Sequence, residues 1–130
     1  MHIDFGRGFY TTTLEHQARS WAWRVAERYG GRPAVVFADV ERDALAKLES
    51  LAFVRGDFYA EDFWSFVVHC RDVGSDHARD SGEKRNYDLD IGPVAAAWKQ
   101  RGLMADHDQI SFHTPEAESV LNRVAWRILP

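Results

Sequence analysis

Leu14, Ala18, Trp21, Ala22, Val25 and Tyr29 recur at helical spacing until Gly30 and Gly31 end the run. Apolar residues at that interval line one stripe of a helix, and a stripe needs a surface to pack on. Just upstream, Thr12-Thr13-Leu14-Glu15 has the capping-box form, in which a hydroxyl and a carboxylate satisfy the free N–H groups of the first turn. The spacing therefore predicts a helix over 14–29. Before it, Gly8 to Thr12 reads as a short strand entered through a turn, because Gly6 and Gly8 accept backbone angles that other residues resist. A strand that passes at once into a capped helix fixes the front of the fold.

The remaining chain alternates between the two periods. Pro33 to Ala38 is apolar and β-branched after a Gly-Gly break, which predicts a buried strand. Val40, Ala44, Leu45, Leu48 and Leu51 keep a helical spacing, yet 48–54 also suits a strand, and periodicity leaves both open. Phe63, Phe66, Val67 and Cys70 predict a helix over about 60–71, followed by a polar surface loop over 72–86. Tyr87 to Ile91 alternates and stops at Gly92-Pro93, which predicts a strand; Ala95 to Gln100 suits a short helical turn. Gln109 to His113 alternates again, with Ile110 and Phe112 on a core face and Gln109, Ser111 and His113 on the other. Pro115-Glu116-Ala117-Glu118 opens a last helix, and Trp126 to Leu129 suits a closing strand. The fold class is α+β, as a single domain over 1–130.

Composition narrows the function. A formal charge of −4, from sixteen basic and twenty acidic residues, supplies no basic stripe for phosphate-driven nucleic-acid binding, although Arg7, Arg19, Arg24 and Arg28 can form a local basic site. The lone cysteine, Cys70, excludes an intrachain disulfide framework and a cysteine-rich zinc site, and its apolar neighbours predict a buried thiol. No segment approaches the roughly twenty apolar residues that span a bilayer, and no leader is visible, so a cytoplasmic location without membrane contact is expected. His16, His69, His77, His107 and His113 show no His-x-x-x-His spacing, and no metal is expected. Neither Gly-x-Ser-x-Gly nor a P-loop lysine is present.

The best candidate for chemistry is Asp4-Phe5-Gly6-Arg7-Gly8-Phe9-Tyr10-Thr11-Thr12-Thr13. It joins turn glycines, an aromatic on a strand and hydroxyls at a helix start, an arrangement that can approach a polar or anionic ligand closely. It equally suits a tight turn followed by a helix cap. Together with His16-Gln17-Ala18, Trp21-Ala22, the YDLDIGPVA stretch at Tyr87 to Ala95 and DQISFHT at Asp108 to Thr114, it resembles the DUF3990 family of the ADP-ribosyltransferase-like superfamily. The resemblance spans nearly the whole chain in one order.

That resemblance implies a fold of split, mainly antiparallel sheets with packed helices, whose opening forms a cleft for NAD as co-substrate. It implies transfer of ADP-ribose to a macromolecular acceptor, protein or nucleic acid, by a small bacterial toxin or effector-type domain with an antitoxin or immunity protein as partner. A catalytically degenerate module that binds a protein partner is the alternative. By position, Tyr10 matches the nicotinamide-stacking tyrosine and Gln109 the start of the strand that carries the catalytic acid or its replacement. Gly6 and Gly8 would let the backbone approach the cofactor, Thr12 would support the site, and Trp21 would either wall the nicotinamide pocket or join the core. A first strand with a His-Gly-Ser/Thr motif has no match here, since His2 is the only histidine upstream of Tyr10. Glutamine can hydrogen-bond a ribose hydroxyl but cannot become anionic, so an acid would come from elsewhere; Asp88 and Asp90 share one strand face, expected to be solvated.

Overall fold

The computed structural model describes residues 4, 5, 7–53, 57–73, 87–97, 102, 103 and 106–129 of the chain. The polar stretch over 74–86, Gly6 and residues 98–100 lie outside them. The elements in chain order are β1 (Phe9–Thr11), α1 (Glu15–Tyr29), β2 (Val36–Phe37), α2 (Arg42–Ala46), β3 (Ser50–Ala52), α3 (Asp57–Val73), β4 (Leu89–Gly92), β5 (Ala95–Ala97), β6 (Gly102–Leu103), β7 (Gln109–Phe112), α4 (Pro115–Asn122) and β8 (Arg127–Ile128). The fold is mixed α+β. Among the described residues the strands form one four-stranded sheet in the order β1-β7-β4-β3 and two two-stranded ribbons, β2-β8 and β5-β6. The β3-β4 pair is parallel and the other pairs are antiparallel.

Register decides what each face of the main sheet carries. Tyr10 stands opposite Ser111, Ser111 opposite Asp90, and Gln109 opposite Gly92, so Tyr10, Asp90, Gln109 and Ser111 share one face. Phe9 and Leu89 both stand opposite Phe112, and Ile91 opposite Ile110, on the other face. The second face carries an apolar core: Leu89, Phe112, Ala117 and Leu121 are buried together, with Leu45, Leu48 and Ile110 packed against them from α2, the turn after it and β7. The first face lies under α3, where Phe5, Phe63, Trp64, Val67 and Ala95 form a buried cluster joined by Tyr10, Phe53 and Phe66. Phe5 sits at its centre, with ring centroids 6.0, 6.1 and 5.8 Å from Phe53, Phe63 and Phe66.

Both readings of 40–54 were partly right, since α2 takes its front and β3 its rear. Gly30 and Gly31 end α1 with φ of 85° and 89°, angles that glycine adopts freely. Four expectations fail. The Thr12 to Glu15 capping box does not form, because Leu14 stands at the cap position without a side-chain bond and Thr12 Oγ1 accepts instead from the Leu14 N–H, 3.1 Å. No residue of α1 is buried, and Trp21 is 62% exposed, which excludes its place in the core. The half-buried line is Leu14, Ala18, Ala22 and Ala26, so the small residues face the protein and Trp21, Val25 and Tyr29 stand beside that line in solvent. β2 is not a buried strand: among the described residues it pairs only with β8, and Val36 and Ile128 are exposed. The start of 95–100 is the strand β5, where Ala95 gives its N–H to a carboxylate of Asp4, 2.8 Å, and no helical turn begins.

Candidate functional site

Asp4 organises the polar side of the Tyr10 face. It is 3% exposed, and its two carboxylate oxygens divide the donors. Oδ1 accepts from Arg71 of α3 through both Nε, at 2.9 Å, and Nη2. Oδ2 accepts from the Ala95 N–H at 2.8 Å and from Gln109 Nε2 at 2.9 Å. Gln109 Nε2 also donates to the Pro93 carbonyl, 2.8 Å, so its amide protons are directed inward. Burying a carboxylate requires this degree of pairing, because a charge stripped of water is costly unless matched by donors. Beside it the Phe5 N–H donates to the Tyr10 hydroxyl, 3.0 Å, which ties the Asp4-Phe5 segment over the tyrosine.

His113 lies at the end of β7, where its ring meets the Tyr10 ring edge-on at 6.2 Å. Its Nδ1 is 2.6 Å from the Arg7 carbonyl, which can only accept, so Nδ1 carries the proton. Nε2 faces both Ser111 Oγ, 2.7 Å, and Asp90 Oδ2, 3.1 Å. A Ser-His-Asp hydrolase needs the serine and the carboxylate on opposite ring nitrogens. Here both share one nitrogen, the other is taken by backbone, and the Ser111 and Asp90 side chains are fully buried, so the three residues do not form a nucleophilic triad. Gly8 makes the His113 contact possible. A Cβ built there would come within 2.6 Å of His113 Nδ1 and 2.8 Å of the Phe112 carbonyl.

A second cluster pins the start of α1. Asp108 accepts from the Thr13 N–H at 3.0 Å and from the hydroxyls of Thr12 and Thr13. Gln17 and the Asp108 backbone exchange two bonds, Nε2 to carbonyl at 2.8 Å and N–H to Oε1 at 2.9 Å. Thr12 is thereby a joint between helix and loop. Asp88, also buried, accepts from the Glu49 N–H, 2.8 Å, and from the Thr114 hydroxyl. The solvated face expected for Asp88 and Asp90 is therefore corrected: both are buried, Asp88 against the Glu49 N–H and the Thr114 hydroxyl and Asp90 beside His113.

Enclosure also governs the titrating groups. Burial raises the Tyr10 hydroxyl well above its ordinary value; the bond from Phe5 opposes this, and the charges of Asp4 and Asp90 add to it. Burial, then the charges of Asp90 and Asp4, push the Cys70 thiol up to about 12 from 9.0. In the folded protein the thiol holds its proton through a range in which the unfolded chain has lost it. Its share of stability is thus intact below pH 9.0 and is lost as pH rises toward about 12. The thiolate is the reactive form, so native protein at about pH 8 should resist iodoacetamide while urea-unfolded protein is labelled to completion. Rapid labelling of the native protein would show that Cys70 is neither neutral nor enclosed.

Among the residues singled out from the sequence, Tyr10, Gly8 and Gln109 come together on one side of the sheet, and Thr12 lies at its edge, bound to Asp108. Trp21 stands apart on the exposed side of α1. Gly6 lies outside the described residues. The sequence reading missed Arg71 and undervalued Asp4 and Asp90. Asp4 opens the Asp4–Thr13 segment, but no periodicity marks an arginine at the end of an apolar helix as its partner. Among the described residues no three His, Cys, Asp or Glu side chains gather as metal ligands, and no helix is long and apolar enough to cross a membrane.

No curated protein and no solved structure matches the chain. The model of one family, described as a protein of unknown function (DUF3990), matches residues 1–100. Asp4, Gly8, Tyr10, Thr12, Arg71 and Asp90 fall within those residues, while Asp108, Gln109 and His113 lie beyond them, and the chain belongs to the DUF3990 family.

Proposed function

We propose that this chain is an ADP-ribosyltransferase-like domain that transfers ADP-ribose from NAD to a macromolecular acceptor in the cytoplasm. One observation carries the proposal: Tyr10 and Gln109 lie on the same face of adjacent strands, with Gly8 at the entrance to β1. In the transfer, the bond from ribose C1′ to nicotinamide breaks, nicotinamide leaves with the bonding electrons, and an acceptor nucleophile attacks C1′ and gives up its proton. Tyr10 would stack on the leaving ring. Gln109, once released from Asp4, would hydrogen-bond a ribose hydroxyl, and the carboxylate of Asp90, uncovered as the Asp4-Phe5 segment moves aside, would stabilise the positive charge developing at C1′. The Asp4-Phe5 segment would have to lift from Tyr10 for NAD to enter. As a bacterial toxin or effector-type domain it would be held in check by an antitoxin or immunity protein.

A second reading, a degenerate module that binds a protein partner, is favoured by one feature. The Gln109 amide donates to Asp4 and Pro93, and Phe5 fills the space over Tyr10. NAD titration by calorimetry separates the two. The first reading expects saturable heat that Tyr10→Ala removes by more than roughly tenfold in affinity with the fold kept, as loss of a stacking aromatic entails. Equal heats in both proteins would discard Tyr10 as the cofactor contact.

A further inference from the structure

Phe9 points away from the Tyr10 face, and what it lines there belongs to no part of the site above. A half-open surface depression of about 240 Å³ lies between β1, α4 and the segment leading into β8, lined by Phe9, Glu118, Leu121, Asn122 and Trp126. Its composition is specific. Phe9 and Trp126 meet edge-to-face, with ring centroids 6.2 Å apart and planes at 70°, so they form two walls of a corner. Both rings remain in solvent, Phe9 49% and Trp126 40% exposed. The Trp126 indole is held in place because Nε1 donates to the Leu121 carbonyl, 3.0 Å. Glu118 and Asn122, which carry a carboxylate and an amide, are one helical turn apart on α4 and both line that space.

We propose that this corner is a binding site for a guanidinium group on an alkyl stem, of the kind an arginine side chain carries. Aromatic faces attract a cation through the negative potential of their π-systems, and a flat guanidinium stacks on them where a compact ammonium does not. A carboxylate accepts its N–H groups in pairs, and the amide oxygen of Asn122 offers a further acceptor. Leu121 provides apolar contact for the stem. Arg127, a nearby cation of the chain, does not fill the corner: its guanidinium lies 4.8 Å from the Phe37 ring centre and 3.4 Å from Asp39 Oδ2. A neutral apolar ligand would gain nothing from the carboxylate, and an anion would be repelled by it.

The test follows the Trp126 indole N–H and the Asn122 amide by proton-nitrogen NMR of the full chain. It uses agmatine, an acetylated and amidated Gly-Arg-Gly peptide, and n-butylammonium as probes. Saturable shifts with agmatine or the peptide are expected, in the low-millimolar range, about tenfold weaker with n-butylammonium and about tenfold weaker for agmatine with Glu118→Gln. Glu118 is solvent-facing on α4, so that variant should keep its thermal midpoint, and Phe9→Leu provides a second, aromatic loss with the charge retained. Tighter binding of the peptide than of agmatine identifies the arginine as part of a polypeptide, and the reverse identifies a free small molecule. The proposal is overturned by no shift at about 20 mM agmatine, by binding that ignores Glu118→Gln and Phe9→Leu, or by n-butylammonium binding as well as agmatine.

Discussion

Asp4→Ala is expected to destabilise the protein by about 3 kcal/mol, because it removes one partner of a buried, multiply bonded charge pair and strands the others. The Arg71 guanidinium, the Ala95 N–H and one Gln109 amide proton all lose the Asp4 carboxylate together. Asp4→Asn keeps the volume and one oxygen but gives up the charge that faces Arg71, and it should fall between wild type and the alanine variant. Urea unfolding followed by circular dichroism gives the midpoints. A loss below about 1 kcal/mol for Asp4→Ala would place the pair among solvent-screened surface ion pairs and would contradict its enclosure under α3.

Gly8→Ala is the second large effect, expected at about 2 kcal/mol or more, since the added carbon would overlap a ring and a backbone carbonyl that cannot both withdraw. The His113 Nδ1 and Phe112 carbonyl stand 2.6 and 2.8 Å from the ideal Cβ. Relief by movement of the imidazole alone would break its bond to the Arg7 carbonyl. A double-mutant cycle resolves the two clashes. With His113→Ala the ring contact is gone, so the alanine at position 8 should cost less than in wild type, yet still something because the carbonyl remains. Full additivity would mean that the imidazole is not what Gly8 accommodates.

The two effects fall on residues of unequal legibility. Gly8 was readable as a position of close backbone approach, but its neighbour was not, because β7 lies about a hundred residues downstream and only register brings His113 to it. Alternation in 109–113 correctly separated Gln109 and Ser111 from Ile110 and Phe112. It could not show that the polar set would be covered. A period reveals that two faces differ, while the cover here comes from α3 and from Phe5, which belongs to no strand or helix. The same limit applies to α1. The apolar stripe was real as a spacing, but the protein packs on its line of small residues, leaving Trp21 in solvent. β2 and β5 were misjudged for another reason: two- and three-residue strands contain too little pattern to separate buried from exposed or strand from turn.

The polar network on the Tyr10 face matters most if NAD reacts there, and release of nicotinamide measures that directly. Incubating the purified chain with NAD labelled in the nicotinamide ring, in the presence of a cell extract as acceptor, should give release above the uncatalysed rate. Tyr10→Ala and Gln109→Ala should each lower it by roughly a hundredfold, the scale expected when a positioned contact to the reacting group is lost. Release at the uncatalysed rate from folded wild-type protein, or release unchanged in both variants, would contradict the assignment of this face to ADP-ribose transfer.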